Sequence, residues 1–120
     1  MYTVIATSTD LIGDSKPLIV EPAQAEVLEI TSSSLTQAAG VRGEMIVRTK
    51  DIYNNYSSVT SNTLINLATS SEKGEFWTAV SGGITVTALT LTANSDTLNF
   101  WYRDEIVGNP RITVSAIGFI

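Results

Sequence analysis

The chain has no cysteine and no histidine among its 120 residues. The first absence removes a disulfide framework and every thiolate metal site. The second removes the Ser-His-Asp triad, the commonest general base and most transition-metal ligation. Charge is scarce as well: 16% of residues are Asp, Glu, Lys or Arg, against roughly 25% in an average soluble domain. The seven basic residues are scattered and the formal net charge is −5. Nucleic acid and anionic membrane surfaces both call for clustered Lys and Arg, so neither is an expected partner. No apolar run approaches the ~20 residues of a transmembrane helix, so membrane insertion is not expected. MYTVIATSTD at the N-terminus lacks a basic segment followed by a long apolar one. An exported chain would therefore carry its signal upstream.

Thr, Ser, Val and Ile fill the sequence instead. Branched side chains fit a pleated surface and lose rotamer freedom in a helix, so this composition favours strands. Short apolar alternations recur at 2–7, 16–20, 25–31, 43–51, 62–68, 75–80, 84–93, 97–104 and 111–120. Turn chemistry separates them, notably Pro22, Ser81-Gly82-Gly83, Asn94-Ser95-Asp96 and Gly108-Asn109-Pro110. STDLIGDS (8–15) and SSSLTQAAG (32–40) read as loops, and Pro17 suits an edge strand. In GEMIVRTKD the inward set is Met45, Val47 and Thr49, and in TLNFWYRD it is Leu98, Phe100 and Tyr102. Ile65 and Leu67 are further inward residues, as are Ile112, Val114 and Ala116. About eight or nine short strands at this spacing predict an all-β sandwich of two antiparallel sheets.

One echo runs along the chain. YTVIAT (2–7) and ITVSAI (112–117) share T-V-x-A in one register. Residues 1–24 thus read as a separate N-terminal strand segment, the tail of a preceding repeat, with the sandwich domain at 25–120.

Candidate chemistry is sparse. Glycosidase-type catalysis needs two carboxyls at about 5–10 Å. Asp104 and Glu105 are adjacent, and Glu26 and Glu29 fall at odd separation, so each pair diverges on an extended strand. No catalytic residue is expected. Calcium takes clustered oxygens, and its weak candidates are Asp51, Asn54 and Asn55 in KDIYNNY, with Asp104 at another strand end. Otherwise no cofactor is implied. Trp77, Trp101, Tyr53 and Tyr56 are the candidates for stacking on a sugar, because aromatic faces offer flat apolar area. A Lys–Asn isopeptide bond would need a buried Lys, and Lys50 is expected on the outward face.

The order of motifs resembles the immunoglobulin-like repeats of bacterial and archaeal cell-surface proteins, including invasin/intimin-type and S-layer-associated domains. The likeness spans about residues 25–117. It rests on Asp51 and Asn55 as a D-x-x-x-N corner and on Leu67 to Ser71 with Gly74 and Phe76. It also rests on Phe100, Tyr102 and Asp104, and on the closing Gly108, Pro110, Ile112, Thr113, Val114 and Ala116. Asn54 stands where such corners carry Gly, and Asn is the residue that best tolerates positive φ in its place. The resemblance implies an immunoglobulin-like β-sandwich serving as a non-catalytic spacer or adhesion module outside the cell. Its implied partners are neighbouring repeats of the same protein. Two alternatives remain open on the residues alone. One is a carbohydrate-binding accessory module of a secreted glycan-degrading enzyme, with surface glycan as partner. The other is a viral or phage surface domain.

Overall fold

The computed structural model describes residues 2–8, 11–32 and 36–120. The described chain is all β: β1 (Tyr2–Ser8), β2 (Leu11–Leu18), β3 (Val27–Ile30), β4 (Gly43–Lys50), β5 (Thr63–Thr69), β6 (Glu75–Trp77), β7 (Thr85–Val86), β8 (Ala88–Leu91), β9 (Thr97–Arg103) and β10 (Ile112–Ser115). They form a five-stranded sheet, β3-β4-β9-β6-β7, a three-stranded sheet, β10-β5-β8, and a separate two-stranded sheet, β1-β2.

The two larger sheets share one core. Alternation decides which side chains enter it. Met45, Val47 and Thr49 of β4 are buried, as are Ile65 and Leu67 of β5 and Phe100 and Tyr102 of β9. Phe76 meets Phe100 edge-on at 5.7 Å between ring centres and tilts against Tyr102 at 5.3 Å. Gly74 lies beneath this aromatic group, where an added methyl would strike the Tyr102 hydroxyl. The expected inward residues of all these strands are thus the observed ones.

The strand order is a finding that alternation could not supply. β6 pairs with β7, β5 with β8 and β4 with β9, all antiparallel. These pairs are nested like one long ribbon doubled on itself. Ile120 closes the outermost pair, accepting from Leu28 N–H and donating to Glu26 C=O. The ribbon is then wound so that β9 also lies on β6 and β10 on β5. The orders β4-β9-β6-β7 and β10-β5-β8 follow jelly-roll winding, with the departure that β3 pairs with β4 in the larger sheet and not with β10. In the immunoglobulin order the last two strands are neighbours in one sheet; here β9 and β10 lie in different sheets. Each strand's inward set is the same in either topology, which is why the sandwich was readable and its winding was not.

Two local expectations change. Residues 84–93 do not form one strand. The chain changes sheets between β7 and β8, and Thr87 C=O accepts from Leu67 N–H across the step. Nor are residues 8–15 a loop throughout. Ser8 already pairs with Leu11, and Asp14 sits in the ladder opposite Ala6. Residues 9, 10 and 33–35 of the expected loops lie outside the described residues.

The β1–β2 hairpin is an arm. The molecule measures 74 × 28 × 24 Å, and its radius of gyration is 20.5 Å, where a compact chain of this length would have about 14 Å. Tyr2 and Ile5 are each 67% exposed. Val4, Leu18, Ile19 and Val20 are exposed too.

Candidate functional site

Three groups of side chains were candidates for chemistry, and the register of β4 against β9 separates them. Gly43 faces Tyr102 and Arg48 faces Thr97. Asp51 therefore follows one end of the ladder and Asp104 follows the other. At 3.3 Å per residue the two are roughly 30 Å apart. The same spacing divides the aromatics. Trp101 lies opposite Glu44, whereas Tyr56 bridges to Lys50 at the far end of β4.

The first group is the KDIYNNY corner. Asp51 is 1% exposed. Its Oδ1 accepts from the Tyr53 and Asn55 amides, and its Oδ2 from the Ala23 amide and Asn55 Nδ2, all at 2.9–3.0 Å. Burial alone would raise its pKa. The donors outweigh burial, Asn55 foremost, and hold the carboxyl at about 2. Asn54 takes φ 70°, the left-handed conformation a Gly would otherwise supply. Tyr53, a sugar-stacking candidate, is 71% exposed, because residue 53 lies in the turn itself. Tyr56 is covered on one face by the Arg48 guanidinium, 3.4 Å from the ring centre. Lys50 pairs with Glu29 and donates to Asn54 Oδ1 at 3.0 Å. Asn54 is exposed and Glu29 half-exposed, so this trio lacks the burial that an isopeptide bond requires.

The second group surrounds Asp104, which is also buried. Tyr102 donates its hydroxyl to Asp104 Oδ2 at 2.6 Å, and the Ile106 amide donates to Oδ1 at 3.0 Å. These bonds, the Tyr102 one first, hold the Asp104 carboxyl below its ordinary range. Burial, reinforced by Asp104, pushes the Tyr102 phenol upward. The Tyr102 oxygen also shares a 2.8 Å bond with Thr69 Oγ1, which ties β9 to β5 across the sandwich. Beside Asp104 lies a cleft of about 580 Å³ with Ile30, Met45 and Ile112 along it.

The third group is the outer face of the five-stranded sheet. Because Phe76 and Phe100 point inward, their neighbours Trp77 and Trp101 point outward. The β6–β9 register sets them directly opposite one another. Both are half-buried. The Arg42 guanidinium lies 3.6 Å over the Trp77 ring. Nη1 of Arg42 also donates to Ala79 and Gly82 C=O, which fixes the Ser81-Gly82-Gly83 turn. Glu44 and Asn99 flank Trp101. The structure thus brings Trp77 and Trp101 together and leaves Tyr53 and Tyr56 apart from them. Their pairing followed from strand register, which the sequence did not carry.

Among the described residues, no three acidic side chains gather as metal ligands, and no helix is long and apolar enough to cross a membrane. No family model, curated protein or solved structure matches the chain.

Proposed function

We propose that the chain is a non-catalytic structural module of an extracellular surface assembly, a cell-surface stalk or layer in which it is one of several repeated domains. The immunoglobulin-like resemblance supports the surface setting through sequence motifs, while the strand order aligns the module with jelly-roll architecture, which also serves in viral coats and lectins. One observation carries the structural role. The two buried carboxylates, the groups best suited to chemistry, are engaged by the chain's own donors: Asp51 by four and Asp104 by two. They act as latches between segments. Protease shaving of intact source cells or particles tests the setting. Release of this domain without lysis is expected, and retention behind an intact envelope would overturn the reading.

A second reading, glycan binding, is favoured by the opposed Trp77 and Trp101. A sugar ring would stack on the exposed part of Trp101, with Glu44 and Asn99 within reach of its hydroxyls. Glycan-array binding lost in Trp101→Ala and kept in Tyr53→Ala would establish it. An empty array with folded protein would remove it.

A further inference from the structure

With its arm extended, the chain exposes more surface than a compact monomer of its mass should. A monomer of 12.9 kDa has an expected accessible surface of about 6,300 Å², and this chain has 8266 Å². The excess, about 2,000 Å², is more than the ~800 Å² per partner of a standard protein interface. It resides where the molecule departs from compactness, in a hairpin of two strands, which is at best marginally stable alone in water.

The two strands of the arm are not alike. β2 carries Gly13, Asp14, Lys16 and Pro17, the charges and missing N–H that blunt an edge against pairing. β1 reads YTVIATS, with no charge, proline or glycine. Its outer edge is the unprotected one. Its sequence also repeats that of a strand already seated in the sandwich, since Thr3-Val4-x-Ala6 matches Thr113-Val114-x-Ala116 of β10 and the residue after it. Val114 packs against the core from opposite Leu67; Val4 has the same sequence setting and is exposed. The sheets themselves are unequal. Five strands face three, and Leu89 of β8 with Ile112 and Val114 of β10, on the smaller sheet, remain only partly buried.

We propose that β1 is an assembly edge, and that β1 of one copy adds as a strand to the edge of the three-stranded sheet of a second copy, covering Tyr2 and Val4 there. Strand addition of this kind draws affinity from main-chain hydrogen bonds and specificity from alternate side chains. The proposal rests on the structural-module reading and names its partner as a second copy of this chain.

Sedimentation of the full-length protein from micromolar to submillimolar concentration tests it. A mass of twice the chain or more is expected. The full-length double variant Val4→Asp, Ile5→Lys should return to the monomer mass with its melting transition unchanged. Because the chain has no cysteine, single-cysteine variants locate the contact. Thr3→Cys mixed with Thr90→Cys or Thr113→Cys should give a mixed disulfide on oxidation. A wild-type monomer throughout would overturn the proposal, as would an oligomer indifferent to the double variant. Crosslinking confined to Thr3→Cys with itself would overturn the assigned edge. A monomer released by surface shaving would sink this inference alone, whereas a dimer retained inside cells would sink the structural-surface reading alone.

Discussion

The sandwich and the arm are made of the same material and meet opposite fates. Both consist of Thr/Val/Ile-rich strands with clean alternation. In β4 the alternation leads to burial, with Val47 1% exposed. In β1 it leads nowhere within the chain, since Val4 and Ile5 face water. Periodicity reports which residues share a face, and it is silent on whether anything covers that face. Burial is a property of a strand's neighbours, and β1 has one neighbour where β4 has two.

The largest way to widen this contrast is to open the sandwich. Phe100→Ala should cost about 3–5 kcal/mol, which for a domain of this size lowers Tm by roughly 10–20 °C. Thermal melting by circular dichroism would read it, and a shift of a few degrees would show that the aromatic centre is not the sandwich's main support.

Next comes the latch that joins the two regions. The folded pKa of Asp51 is depressed from 3.8 to about 2. Its contribution is therefore present above the unfolded value and lost as pH falls from about 4 to 2. The wild type should lose stability through that window. Asp51→Ala should start less stable at neutral pH and change less across the same range. Denaturant midpoints at several pH values would show it, and parallel acid profiles for the two proteins would contradict it. Amide exchange at Ala23 should also accelerate selectively in this variant.

The phenol gives a smaller effect at the other extreme. The Tyr102 pKa is raised, so its contribution is intact below the unfolded value of 10.0 and declines as pH climbs past it. Tyr102→Phe should cost about 1–2 kcal/mol at neutral pH through the lost hydrogen bonds. It should also abolish this part of the alkaline decline. An unchanged alkaline profile would assign that decline elsewhere.

Removing the arm should matter least. Deleting residues 1–20 from dilute monomer should lower Tm by less than about 5 °C, because a two-stranded sheet adds little alone. Complete unfolding of the truncated chain would show that β1 and β2 support the core.

Much of the sandwich was legible because its faces are locally encoded: Met45, Val47 and Thr49 announce themselves by spacing, as do Phe100 and Tyr102. Its jelly-roll winding was not, because partner choice depends on the whole chain at once. The arm's first strand was legible and its second was obscured by Gly13 and Asp14: Asp14 stands in the ladder opposite Ala6 in spite of its turn preference, and Gly13 lies at the register shift beside it. At the candidate sites, Asn54 could be read as a left-handed corner. The Trp77–Trp101 pair could not, because the opposing positions are fixed by the β6–β9 register. Nor could the grip of Asp51 on Ala23, which spans 28 positions.

That grip sets how a load would travel. Residues 19–22 are exposed and join the arm to the sandwich. The first holds along this path are at Ala23, whose N–H is bound by Asp51 and whose C=O accepts from Ser57 Oγ. A pull on the arm would reach these two bonds before it reached the β3–β4 ladder. Acid that protonates Asp51 would slacken the hinge while the aromatic core stayed shut, so the module's reach and its strength would answer to different conditions.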